Sequence, residues 1–240
     1  LLFSRAAGVS VQHYKEAMVE GSLNLNHLMF LAHGALWTIG LSIIALIGGG
    51  IAGFIIALCR ISPSQAVRII SAGYIQLIQG TPLLVIMFLS YFGLPAIGIP
   101  ISPLAAASAS LTIYVGAYLG EIWRGCIESV PRPQWEAAEG LALSRTQRMT
   151  KVILPQAVRI ATPPTVGFMV QIVKNTSLAS VVGFVELARS GQIINNSLFE
   201  PFVIYSIIAV IYFVLCYPIS RLSRRLEQRT GFVSPQLVEA

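Results

Sequence analysis

Trp135-Glu136-Ala137-Ala138, running on to Val152-Ile153-Leu154-Pro155, is the one long polar island between apolar segments of membrane-spanning length. Its reading decides the fold, because it says where the chain leaves lipid. Pro131-Arg132-Pro133 precedes it, and two prolines disfavour helix up to about Arg132. Gln134 to Leu143 then reads as one short helix. Ser144 follows with Gln147 three residues on, the spacing of a capping box that opens a second helix. Pro155 is expected to end or kink that helix. The island is predicted as two short helices joined at a bend, rich in Arg and Lys, outside the bilayer. Such an island has two readings. It only satisfies the positive-inside rule, or it docks a soluble partner on the cytoplasmic side.

The composition supports a lipid setting. Of 240 residues, 55% are hydrophobic and only 11% are charged. A soluble domain carries about twice that charged fraction. Too few polar residues remain to cover a water-facing surface, so the fold class is an all-α integral membrane protein. Cys59, Cys126 and Cys216 lie far apart in or beside apolar segments and read as packing residues. His13, His27 and His33 are scattered near the start, so no metal site is expected. The chain opens Leu1-Leu2-Phe3 without Met and without a signal-peptide pattern.

Several chemistries are excluded. No stretch matches Gly-x-x-x-x-Gly-Lys-Ser/Thr, and there is no Gly-Lys pair. The chain is not its own P-loop motor, and any ATP and Mg would sit on a partner. It has no His-Glu-x-x-His and no Asp, against the common metal-hydrolase layouts. No catalytic residue and no bound cofactor are expected. The basic residues are explained by the lipid interface, so no nucleic acid is expected as a partner.

Five transmembrane helices are predicted. Residues 1–27 read as an extracytoplasmic or interfacial segment, with a short surface helix over 12–19. Residues 28–220 form the transmembrane domain, whose cytoplasmic loop spans 124–159, and 221–240 form a basic tail. The first span, about 35–59, carries Ala45, Gly49, Gly53 and Ala57 every four residues. Such a stripe lets another backbone approach, within one subunit or between two. The second apolar stretch, 69–94, is broken at Gly80-Thr81-Pro82. A helix to about Gln79, a kink and a second piece to Gly93 follow from the missing amide of Pro82. Broken helices at membrane depth border protein-lined cavities. An uncharged outer loop over 95–102 leads to the third span, 103–123, with Ser108, Thr112, Gly116 and Gly120 every four residues. Glu121 and Arg124 share a face and are expected to pair, as a snorkelling pair at the membrane border or in a gating or substrate role.

The fourth segment, 160–185, contains Pro163-Pro164, so its first turn is expected to be irregular. Lys174 is the ionisable residue near its middle. It faces the bundle interior or marks an early helix end. Residues 186–200 read as a polar outer loop, and 201–220 as the last span. Twelve of sixteen Lys and Arg fall on the side of the polar island and the tail. The positive-inside rule then puts the N-terminus outside and the C-terminus in the cytoplasm.

Glu136-Ala137-Ala138 and Leu154-Pro155 resemble the EAA loop of ABC-importer permease subunits. Ala142 stands where that family has Gly, and Val152 where it often has Ile. Gly80-Thr81-Pro82-Leu83 and Lys174-Asn175-Thr176-Ser177 look like the polar amino-acid branch of those permeases, with Gln79 in place of its usual Arg. The resemblance covers about residues 34–225. It implies a MetI-like type I ABC importer permease fold in a bacterial inner membrane. It also implies two permease subunits, identical or homologous, two ATP-binding subunits and an extracytoplasmic substrate-binding protein. Arg132, Trp135, Glu136, Ala137, Ala138, Ala142, Ser144 and Arg145 are then the ATPase-coupling candidates, with Trp135, Ala138 and Ala142 on one face. Glu136 is expected to interact with the start of its own helix or with nearby basic groups. Gln79, Thr81, Gln171, Lys174 and Asn175 are the substrate-path candidates, Lys174 meeting a carboxylate. An importer for an osmolyte or methionine, a gradient-driven carrier and a membrane scaffold remain the alternatives.

Overall fold

The computed structural model describes residues 23–230, all helices and connections. The surface helix expected over 12–19 lies outside the described residues, as do residues 231–240. Helix α1 is Leu25–Arg60 and α2 is Gln65–Gly80. Helix α3, Leu83–Phe88, continues through a π turn at Leu89–Gly93 to Ala96. Helix α4 is Pro103–Glu128, α5 is Arg132–Gly140 and α6 is Arg145–Arg148. A π turn, Met149–Ile153, joins α6 to α7, Leu154–Asn175, which runs into a 3-10 helix at Thr176–Val182. Helix α8 is Leu187–Leu198 and α9 is Pro201–Thr230. Helices α1, α4 and α9 are long and apolar enough to cross a membrane. The count rises to five if two bent pairs each make one span.

The α1–α4 pair forms the spine. Lipid tails are as apolar as Leu, so helices associate in membranes by close packing more than by burial. The stripe Ala45, Gly49, Gly53 and Ala57 is buried, and it meets α4 of the same chain. A methyl group on Gly53 would lie 3.1 Å from the carbonyl oxygen of Gly116, and one on Gly116 would lie 2.9 Å from the Ala52 methyl. The stripe is therefore helix packing within one subunit.

The break at Gly80-Thr81-Pro82 lies where the sequence places it, and the chain turns there by 98°. The freed carbonyls are not left bare. The Thr81 amide donates to Ile78 at 3.3 Å and the Thr81 hydroxyl to Leu77 at 2.8 Å. Beyond the turn, Leu83 and Met87 enter the main core with Leu41, Leu111, Val115 and Ile172.

Several expectations need correction. Helix α1 begins at Leu25, ten residues ahead of the expected start, behind an Asn24–His27 capping box. Pro163 and Pro164 do not disturb a first turn, because they lie well inside α7. Ser223 of α9 donates its hydroxyl to the Pro163 carbonyl at 3.0 Å, so the neighbouring helix holds the chain at the proline pair. The helix of the last segment does not stop at Ser220. Helix α9 continues through Pro218 and the arginines at 221, 224, 225 and 229.

The largest difference is at residues 186–200, which form a helix, not a loop. Leu187, Ser190, Gly191 and Ile194 are buried, at helical spacing. Glu186 is fully buried and caps this helix. Its carboxylate accepts the amides of Ala188 at 3.0 Å and Arg189 at 2.8 Å. It also accepts the Tyr212 hydroxyl of α9 at 2.9 Å and the Thr38 hydroxyl of α1 at 3.4 Å. Three helices are thus tied by one carboxylate, over an apolar cluster of Phe30, Leu31, Leu187, Ile194, Ile204 and Ile208. The missed signal was that cap followed by the i, i+3, i+4, i+7 pattern.

Two outcomes follow for stability, read as thermal midpoints of the purified chain in detergent. Gly116→Val is expected to overpack the spine and destabilise it by about 1–3 kcal/mol, whereas a substitution at Gly73, which faces open space, leaves the midpoint near wild type. Glu186→Ala strands four donors and is expected to cost about 3 kcal/mol or more, with Glu186→Gln closer to wild type.

Candidate functional site

The polar island is a folded elbow. Helix α5 starts at Arg132, two residues earlier than expected, because Pro131 and Pro133 occupy the cap and the first turn, where no amide is needed. It ends in a Schellman turn. The Leu143 amide donates to Ala138 at 3.2 Å and the Ala142 amide to Glu139 at 2.9 Å. Ala142 takes φ +56°, the left-handed region, at the position where the EAA loop resemblance has Gly. A Cβ there costs about 1–2 kcal/mol relative to Gly.

The capping box is formed. The Gln147 amide donates to the Ser144 hydroxyl at 3.3 Å, and the Ser144 amide to the Gln147 side chain at 3.0 Å. Arg148 pairs with Glu139 at 2.9 Å and braces the two arms. Pro155 does not end the second arm, which passes through the π turn at Met149–Ile153 and leaves Pro155 in the first turn of α7.

The two faces of α5 differ. Ala138 is 2% exposed, and the half-buried Trp135 donates its indole N–H to Val130 at 3.2 Å. Trp135 rests on a cluster of Ile127, Val130, Ile153 and Ala157. Arg132, Gln134, Glu136, Ala137 and Gly140 face outward. Ala142 is exposed beyond the helix end and does not share the face of Trp135 and Ala138. Among the described residues Glu136 makes no ion pair. Ser144 and Arg145 are exposed, and Arg145 Nη2 donates to the Ile61 carbonyl at 3.1 Å.

Behind the elbow, Glu121 and Arg124 pair as their spacing predicts, and Arg124 also holds Glu128. Arg60 of α1 joins them, its Nε 3.6 Å from Glu121. This ion network ties the ends of α1 and α4 beside the elbow.

The substrate-path candidates fall into two groups. Gln79 is exposed on α2, and the Thr81 hydroxyl is committed to its own helix. Gln171 donates to Asn175 at 3.1 Å. Lys174 is exposed and the α-helix ends at Asn175, so within this chain the residue marks a boundary and does not face the interior. The two groups approach through Leu83 and Met87 past the kink, which pack with Ile172 and Ala179. Asn175 lies beside the Tyr114 hydroxyl. Tyr114 and Tyr118 are 4.4 Å apart, and Tyr118 stacks on Phe168 at 5.4 Å. This aromatic ladder is an addition of the structure. The four-residue spacing of the two tyrosines was its only sequence sign. A groove of about 330 Å³ between α1, α4 and α7 is lined by Phe54, Leu58, Val158 and Ala161. Its apolar walls offer nothing to a charged solute.

Residues 49–232 match the family described as binding-protein-dependent transport system inner membrane component. The probable amino-acid ABC transporter permease protein YckA of Bacillus subtilis is 35% identical over 201 residues, 84% of this chain and 89% of that protein. The L-cystine transport system permease protein TcyB of the same organism is 37% identical, over 83% of this chain and 86% of that one. The crystal structure of an amino acid ABC transporter with histidines superposes with a TM-score of 0.82 at 32% identity, covering 87% of this chain and 99% of that one. The inward-facing MetNI methionine ABC transporter superposes with a TM-score of 0.68 at 16% identity, a likeness of fold alone. With an outward-facing elbow, an all-helical body and no ATPase motif of its own, the chain belongs to the binding-protein-dependent transport system inner membrane components, as a non-catalytic ABC transporter permease subunit.

Proposed function

We propose that this chain is the transmembrane subunit of an ATP-driven importer that carries a polar amino acid across a bacterial inner membrane. The observation that carries the reading is the elbow, whose α5 is anchored by Trp135 and Ala138 and presents Arg132, Glu136 and Ala137 outward. Five spans, with the N-terminus outside and the C-terminus in the cytoplasm, put that face where ATPase subunits operate. Two ATP-binding subunits, carrying the ATP and Mg, a second permease subunit and an extracytoplasmic binding protein complete the assembly.

In this reading each ATPase subunit holds α5 in a surface cleft. Nucleotide binding favours one arrangement of the ATPase pair, and so biases the permease between inward-open and outward-open states. The elbow transmits the motion as a rigid body. Its two arms are joined by the Schellman turn, the capping box and the Arg148–Glu139 pair, and the second arm is continuous with α7.

The path for the solute runs beside Gln171, Asn175, Tyr114 and Tyr118, with Thr81 and Gln79 at the kink. An amino acid is a zwitterion and needs donors and acceptors together. Side-chain amides and phenols supply both, and Lys174 meets the carboxylate at the rim.

Replacing the docking face tests this. Glu136→Lys with Ala137→Leu is expected to release the ATPase subunits from the tagged, co-purified complex. Uptake of a panel of polar amino acids into proteoliposomes, with the ATPase subunits and binding protein added, is expected to fall at least tenfold. Retention of the ATPase subunits by the double variant would remove the elbow as the docking site. Uptake by the chain alone would favour a gradient-driven carrier. Separately, Ala142→Gly relieves the left-handed alanine and is expected to stabilise the elbow by about 1 kcal/mol, read by hydrogen exchange of residues 138–148.

A further inference from the structure

The elbow does more than join α4 to α7, because it also holds the inner end of α1. Ile61 caps α1, its own amide turned back onto Ala57 and Cys59. Its carbonyl faces away from the helix and accepts Arg145 Nη2 at 3.1 Å, across 84 positions of sequence. A guanidinium at the negative end of a helix is favoured by the helix dipole as well as by the hydrogen bond. The Ile61 side chain lies in the same apolar cluster as Trp135, Met149, Val152 and Ile153. One residue before it, Arg60 enters the ion network with Glu121. The end of α1 is thus held from above by Arg145 and packed from below by the elbow's own anchor.

Helix α1 then runs without a break from this clamp to the outer cap. Thr38, on the same helix, donates to Glu186 and accepts the Leu187 amide at 3.2 Å. Thr38 and Ile61 are 23 positions apart, which is about 35 Å of helix. The elbow therefore reaches both sides of the bilayer through one rigid element. In chain order its own connections lead only to α4 and α7.

Resting on the docking role proposed above, we infer that Arg145 clamps α1 to the elbow, so that α1 moves with it and carries each ATP-driven displacement to the Glu186 cap. Arg145 is then a positioning residue that acts through Ile61, and not a contact of the ATPase.

The test uses the complete transporter in proteoliposomes, on a background with Cys59, Cys126 and Cys216 replaced by Ser. Ile61→Cys with Arg145→Cys opens the clamp, and a short bis-methanethiosulfonate bridge closes it again. The open form is expected to transport about tenfold less solute per ATP hydrolysed, the scale of one charged hydrogen bond. Bridging is expected to restore most of the coupling. Arg145→Lys, which keeps one donor for the same carbonyl, should fall between Arg145→Ala and wild type. The inference is overturned if bridging abolishes residual transport, since elbow and α1 would then have to separate. It is also overturned if the open form couples like the background. Loss of the ATPase subunits from the Arg145→Ala complex would make Arg145 a direct contact, overturning the clamp and leaving the docking role standing. Failure of the docking role itself is read from the Glu136 and Ala137 double variant.

Discussion

An interruption of a helix inside the bilayer has to be satisfied by protein groups, because hydrocarbon offers no hydrogen bond to a freed amide or carbonyl. The chain is interrupted often. It has a kink at Gly80-Thr81-Pro82, two π turns, an internal Pro163-Pro164 pair and a 3-10 segment after Asn175. At each place where a partner is visible it comes from nearby side chains or a neighbouring helix. Thr81 serves Leu77 and Ile78, and Glu186 serves the start of α8. The bent architecture that a carrier needs is therefore stabilised one backbone group at a time.

The bundle is tied at two ends. Beside the elbow, charges and a compact apolar cluster bind the ends of α1, α4 and the elbow. Away from the elbow a single buried carboxylate binds α1, α8 and α9. Between them the α1–α4 spine is held by glycine and alanine contacts so close that a methyl group has no room. Beside this spine α7 gives way to the 3-10 helix and Asn175 meets the tyrosines.

Local chemistry was the legible part of the candidate site. The capping box at Ser144, the break at Pro82 and the Glu121–Arg124 pair each depend on residues within a few positions of one another, and each is present. Readings that treated proline as a stop were less successful. Pro133, Pro155 and Pro163 all sit in helices, the first two because a first turn needs no amide. Residues 186–200 were read as a loop because their polarity was weighed without their periodicity. Lys174 is exposed on this chain, and which face of a helix is exposed depends on what packs against it.

The amino-acid sequence alone determined that the chain lives in lipid, that it has no motor of its own and that one basic elbow stands outside the bilayer. Those conclusions follow from composition and from short-range chemistry, which a linear string carries in full. Only the tertiary structure decided that Arg145 meets Ile61, that Glu186 joins three helices and that Ala142 bends backward into the left-handed region. These depend on groups brought together across tens to more than a hundred positions, or on a turn angle set by both flanking helices. Neither is written in the order of the residues.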